Sequence, residues 1–156
     1  NAECALHGLV VGEGRQVADN HSVIRHRAPR ARSTEHFRNV LDGKSRAVFA
    51  GRVVVEEDVV GTDAQQSNAN LLLSDDARVD ALPQLEIYND DVKASHGATL
   101  GQLDRDAMFY LRSRGLAETE ARKIIILGYF DEIVERLPYA FLRDRVHEEI
   151  EKKLGV

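Results

Sequence analysis

Apolar clusters recur along the first part of the chain, around Val10, Ile24, Val40, Val54, Leu72 and Ile87, at intervals of roughly 15 residues. Turn-forming residues separate them: Gly12 and Gly14, Asp42-Gly43, Glu57-Asp58 with Gly61, Asp75-Asp76, and Asn89-Asp90-Asp91. Within a cluster the alternation has period two, so that Leu85 and Ile87 share one face while Glu86 and Tyr88 share the other. Val53, Val54 and Val55 are β-branched, which suits a pleated surface. The pattern predicts strands to about residue 95, with no helix between them. That excludes a doubly wound α/β sheet, whose parallel strands need helical crossovers. Two architectures fit: an antiparallel sandwich or meander, and a parallel β-helix in which each coil stacks on the last. Period two is common to both and does not choose between them.

After His96 the pattern changes to a helical one. Asp104 is a good N-cap with Leu103 placed to staple onto Met108, and the first helix is expected to stop at Gly115. A second helix is predicted from about Glu118 to Leu137, with Ala121, Ile124, Ile125, Gly128, Ile133 and Val134 as its apolar stripe. Pro138 ends it and opens a third, where Leu142, Val146, Ile150 and Leu154 recur every fourth residue. The expected organisation is a strand portion over residues 1–96 and a helical segment over 97–156.

With 43% hydrophobic and 30% charged residues, the 156-residue chain has the composition of a folded globular domain. The net charge of −5 argues against nucleic acid as partner, because phosphate binding needs clustered positive charge. No apolar run is long enough for a membrane span, and no signal-peptide pattern opens the chain. These features, with one free thiol at Cys4, favour the cytoplasm. There is no initiator Met, and strand-like sequence already runs from Ala5 to Val11, so the chain reads as a fragment of a longer protein.

Several chemical signatures fail on inspection. Gly43-Lys44-Ser45 lacks the first glycine of a phosphate loop, since position 38 is Arg38. His147-Glu148 has no second histidine one turn on, so it is not a zinc-protease helix. His7, His21, His26, His36 and His96 fall among the strands without ligand spacing to a second His or Cys on the same element. Glu56-Glu57-Asp58, Asp75-Asp76 and Asp90-Asp91 sit at strand ends. Acid and base work on a polysaccharide is the enzymatic alternative they offer, although adjacent strand residues point to opposite faces.

The run Lys93-Ala94-Ser95-His96-Gly97-Ala98-Thr99-Leu100-Gly101-Gln102-Leu103-Asp104, continuing Met108-Phe109-Tyr110-Leu111-Arg112-Ser113-Arg114-Gly115, resembles the SufB/SufD family of iron–sulfur cluster assembly proteins, on its SufD branch. Phe37 to Gly43, Phe49 to Val55, Gln65 to Ser74, Pro83 to Ile87, Glu120-Ala121-Arg122 and Gly128-Tyr129-Phe130 agree with it. The resemblance implies a mainly β fold, a right-handed parallel β-helix (a single-stranded solenoid, here partial) followed by a C-terminal α-helical segment. It also implies a scaffold rather than an enzyme, a subunit that pairs with a SufB-like protein and carries the ABC-type ATPase SufC on its helices. His96 corresponds to the family residue placed at the subunit interface as an iron or cluster ligand. No cofactor is expected to bind tightly to the isolated chain; iron or an iron–sulfur cluster would pass through the assembled complex.

A coupling helix needs exposed apolar anchors. Phe109, Tyr110 and Leu111, with Ile126, Leu127, Tyr129 and Phe130, are the SufC-docking candidates. A cut β-helix also leaves strand edges unpaired. Leu85, Ile87, Val92, Ala94 and His96 are accordingly the expected interface residues, and the isolated fragment is expected to form a homodimer. Two departures from the family pattern are visible. Ala94 stands where many relatives carry Cys, and Ala117 replaces the usual Ser or Thr cap, leaving Glu120 as half of a capping box.

Overall fold

The computed structural model describes residues 1–155. Eight strands come first: β1 (Glu3–Gly12), β2 (Val17–His26), β3 (Arg32–Leu41), β4 (Arg46–Val55), β5 (Thr62–Leu72), β6 (Arg78–Ala81), β7 (Gln84–Ile87) and β8 (Val92–Gln102). Three helices follow: α1 (Arg105–Ser113), α2 (Glu118–Val134) and α3 (Ala140–Leu154). One sheet has the order β1-β3-β5-β8; the other has β2-β4-β6, with β7 also pairing to β4. Every pairing is parallel. Successive strands therefore alternate between the sheets, with β6 and β7 following one another along β4, and the chain winds as a β-solenoid of about three turns followed by helices. Of the two architectures that period two allowed, this is the parallel β-helix.

The register explains the spacing of the apolar clusters. Glu3 lies opposite Arg32, Arg32 opposite Asp63, and Thr62 opposite Val92. One coil thus spends two clusters, one in each sheet. The turns stack as the strands do. Gly14 and Gly43 both adopt positive φ, and a Cβ on Gly43 would meet the Gly14 backbone at 3.1 Å. Asp42 N donates to Gly12 O at 2.8 Å and Lys44 N to Gly14 O at 2.6 Å, tying one coil's turn to the next.

Inward and outward residues alternate. On β3 and β4 the odd positions face inward: Ser33, Glu35, Asn39, Leu41, Ala47, Phe49, Val53 and Val55 are all buried. Phe37 and Phe49 meet across the interior with ring centroids 4.9 Å apart. The outer face of β1, β3 and β5 is covered by the helices. Val40 and Leu71 form one apolar cluster with Ile126, Phe130, Val134 and Ile150, flanked by Leu9 and Val11. Polar contacts pin the same junction: Arg38 donates to the Tyr129 carbonyl and to Glu132, and Arg122 lies 3.0 Å from Asp42.

Three expected boundaries move. The strand that carries His96 does not end there; β8 continues to Gln102 because Gly97 to Gln102 stay in register with Ser67 to Leu72 of β5. The change from strand to helix falls at Leu103-Asp104, six residues beyond the expected 96/97 division. Asp104 caps α1 as expected, accepting from Asp106 N at 2.8 Å and Ala107 N at 3.1 Å. α2 stops at Val134, and the cap of α3 is Tyr139, so Pro138 precedes the helix instead of opening it.

Candidate functional site

The last coil is where the solenoid stops. β8 is bonded to β5 on one side, and β6 and β7 to β4 on one side; among the described residues no further strand continues either sheet there. The five residues expected at an interface are brought together on this coil. Leu85 and Ile87 lie opposite Val53 and Val55 of β4, while Val92, Ala94 and His96 lie opposite Thr62, Ala64 and Gln66 of β5. Those partners are buried or, for Gln66, 3% exposed, so all five share the inward-facing rows. With no next coil above them, Leu85, Val92 and Ala94 are half-buried and His96 is exposed. Ile87 is 40% exposed and Leu100, further along the same row as His96, is 63% exposed. Inward-facing side chains this open at a sheet edge are what a strand-pairing partner would cover.

Beneath His96 the interior is polar. Leu6, Glu35, Gln66 and His96 are successive register partners across β1, β3, β5 and β8. Glu35 is fully buried. Its carboxylate accepts from Ser22 Oγ of the facing sheet and from Gln66 Nε2 at 2.7 Å. Asn39 Nδ2 donates to Asn70 Oδ1 at 2.6 Å, and Asn70 Nδ2 reaches Asn68 Oδ1 at 2.7 Å and the Thr99 carbonyl of β8 at 2.9 Å. Sequence reasoning passed over this lining. Gln65 to Asn70 are polar or small at every position, so a period-two pattern cannot tell which half of them faces inward.

The helical candidates divide into two groups. Phe109 and Tyr110 stand out from α1 at 76% and 57% exposure, with Leu111 half-buried beside them. Of the three, Phe109 borders an open groove of about 980 Å³ between α1, the start of α2 and the ends of β5 and β8, lined also by Leu73, Leu103, Met108, Arg112 and Leu116. Ile126 and Phe130, by contrast, are completely buried in the helix–solenoid core and offer no docking surface. Leu127 and Tyr129 are half-buried and pack against that core. The Arg38 guanidinium lies 4.8 Å from the centroid of the Tyr129 ring, and burial pushes the Tyr129 phenol up to about 12. The expected stripe of α2 is corrected accordingly. Ile124 is 47% exposed and Gly128 is exposed, while Ile126 and Phe130 take their places in the core.

The remaining titratable groups are scattered. His7 and His36 stack on the outer face of the first sheet, centroids 5.7 Å apart, with His36 Nδ1 2.5 Å from Ser67 Oγ. Burial, and secondarily the Arg136 guanidinium, hold both rings below the usual imidazole range. Cys4 is exposed on β1, at the far end of the sheet order from β8. Of the acidic turns, Glu56 faces Arg25 and Arg27 at 3.7 and 3.5 Å, and Asp76 faces Lys44 at 3.6 Å. Among the described residues no group of three or more His, Cys, Asp or Glu side chains is arranged to hold a metal ion. His96 therefore supplies a single nitrogen donor, and any metal bound there would draw its other ligands from elsewhere. Among the described residues no helix is long and apolar enough to cross a membrane.

Comparison with known proteins matches residues 1–129 to the SufBD core domain of the SUF system of FeS cluster assembly. The chain is 42% identical over 90% of its length to an iron–sulfur cluster assembly SufBD family protein of Synechocystis, covering 31% of that relative. It is 37% identical over 99% of its length to the iron–sulfur cluster assembly protein SufD of Escherichia coli, covering 36% of it. It is 32% identical over 94% of its length to SufD of Bacillus subtilis, covering 33% of it. The chain thus spans about a third of the length of these curated relatives.

Proposed function

This chain belongs to the SufBD core family of the SUF iron–sulfur cluster assembly system, and we propose that within that system it is a non-catalytic scaffold subunit. It pairs through its last coil with a SufB-like subunit and carries a SufC-like ATPase on α1 and the groove beside it. It presents His96 as one ligand to iron or a nascent cluster, which is the cargo of the assembly.

The observation that carries this reading is the uncovered last coil with His96 on its open strand. Exposed backbone donors and acceptors along β8 are a template for another strand, and the open inward rows supply side-chain pockets for one. A neutral imidazole is a borderline donor suited to iron, and thiolates across the boundary would complete the set. For the ATPase, Phe109 and Tyr110 are exposed aromatic anchors on α1, and Phe109 lines a groove that mixes apolar side chains with Arg105, Arg112, Asp75 and Glu118.

His96→Ala in the full-length protein, assembled with SufB-like and SufC-like partners, tests the reading. Cluster maturation is expected to fall by at least ~10-fold with the complex intact, the scale of losing a metal contact. Unchanged iron content and maturation in that variant would reject His96 as a ligand.

A further inference from the structure

The column beneath His96 ends in an open hydrogen-bond acceptor. A carboxylate only accepts, so Glu35 decides which end of the Gln66 amide faces it. Gln66 Nε2 donates to Glu35, and Gln66 Oε1 is left buried with no partner. Gln66 itself is 3% exposed, so solvent does not satisfy that oxygen. The amide has a prepared slot. Gly51 of the facing sheet lies against it, and a Cβ there would come within 2.3 Å of Gln66 Nε2 and 2.6 Å of Phe49 Cζ. Ser22, in register with Gly51 on the same sheet, holds the other oxygen of Glu35. The next residue of the column is His96, the register partner of Gln66 on the edge strand.

We propose that Gln66 is the positioning residue of His96: its Oε1 accepts the N–H of one imidazole nitrogen, which fixes the tautomer and leaves the other nitrogen's lone pair toward the open end of the solenoid. Glu35 acts one step further back, by orienting the Gln66 amide. A metal-ligating histidine needs its second nitrogen to donate to an oxygen, and the column supplies one that nothing else uses. The inference rests on the reading of His96 as a ligand, and it extends that reading to two buried residues that touch neither iron nor a partner.

The test uses the full-length protein with ¹⁵N-labelled histidine, the His96 ring signals being assigned by their loss in His96→Gln. If the contact holds, the two ring nitrogens of His96 in the parent protein are expected to give two well-separated signals, those of a single tautomer. Gln66→Met keeps the side-chain length and removes the acceptor; the two signals are expected to move toward the average of a tautomer mixture. Glu35→Gln changes volume little and frees the Gln66 amide to turn over, so the same averaging is expected without loss of the column. Anaerobic titration with Fe(II) is expected to show 10- to 100-fold weaker binding in Gln66→Met, the usual cost of removing an outer partner of a ligating histidine. Unmoved His96 signals in both variants would overturn the assignment. Fe(II) binding that survives His96→Ala would reject the ligand reading alone, because the ring signals report the Gln66 contact without metal.

Discussion

Single residues set the acid limit of the fold. Burial holds His26 as well as His7 and His36 below the ordinary imidazole value near 6.5, with Arg136 adding to the effect at the last two. The folded state therefore binds fewer protons than the unfolded chain just below that value, and stability rises with pH in that window. It is fully present above about pH 6.5 and is lost as pH falls toward the lowered folded-state values. Denaturant titrations from about pH 7.5 to about pH 5.5 are expected to show a falling midpoint, and His36→Asn is expected to flatten that slope. An unchanged midpoint over the range would contradict it. These shifts were not legible in the sequence. His7 and His36 lie 29 positions apart, and only the parallel register stacks them on one face. His96, in contrast, is marked by the family resemblance of its Ser-His-Gly run, while Gln66 and Glu35 beneath it lie among polar neighbours that no motif singles out.

At the scale of elements, α2 determines whether the helical segment stays attached. Phe130 is fully buried between Val40, Leu71 and α3 residues, so Phe130→Ala should cost about 3–5 kcal/mol, the range for emptying a buried aromatic site. Phe109→Ala on exposed α1 should change stability by less than about 0.5 kcal/mol. Equilibrium unfolding of the two variants checks the contrast, and equal losses would mean that the burial assignments are wrong. The face of α2 was hard to read because Ile124, Ile125, Ile126 and Leu127 form a continuous apolar run, which does not point to one side. The caps were easier. Asp104 is a strong local signal, and at Ala117 the Glu120 carboxylate alone takes the backbone N–H, at 3.0 Å. The end of β8 is hard to read because Gly97-Ala98 has little strand preference of its own and is held extended by β5.

For the whole molecule, the open last coil is the edge through which association is expected. The 156-residue chain alone is expected to dimerise through β8 and the β6–β7 edge, imitating the pairing proposed with a SufB-like subunit. Sedimentation should give twice the monomer mass, and the double substitution Ile87→Lys with Leu100→Lys should restore the monomer by placing charge on the open rows. A monodisperse monomer of the unsubstituted chain would refute the expectation. Dimers that survive both lysines would place the contact on another edge. The choice between sandwich and solenoid also belongs to this scale. Alternation records which face a residue takes, not which strand lies beside it, so the parallel pairing could be anticipated only from the family resemblance.

The way α2 lies on the coils has a mechanical consequence. Its core contacts reach Val40 on β3 and Leu71 on β5, with Leu9 and Val11 of β1 flanking them, and Arg38 and Arg122 tie it to β3 and to the turn after it. The helix is thus a splint laid across three stacked rungs. A pull applied to it would be shared among β1, β3 and β5 as shear, and no single coil would carry the load alone.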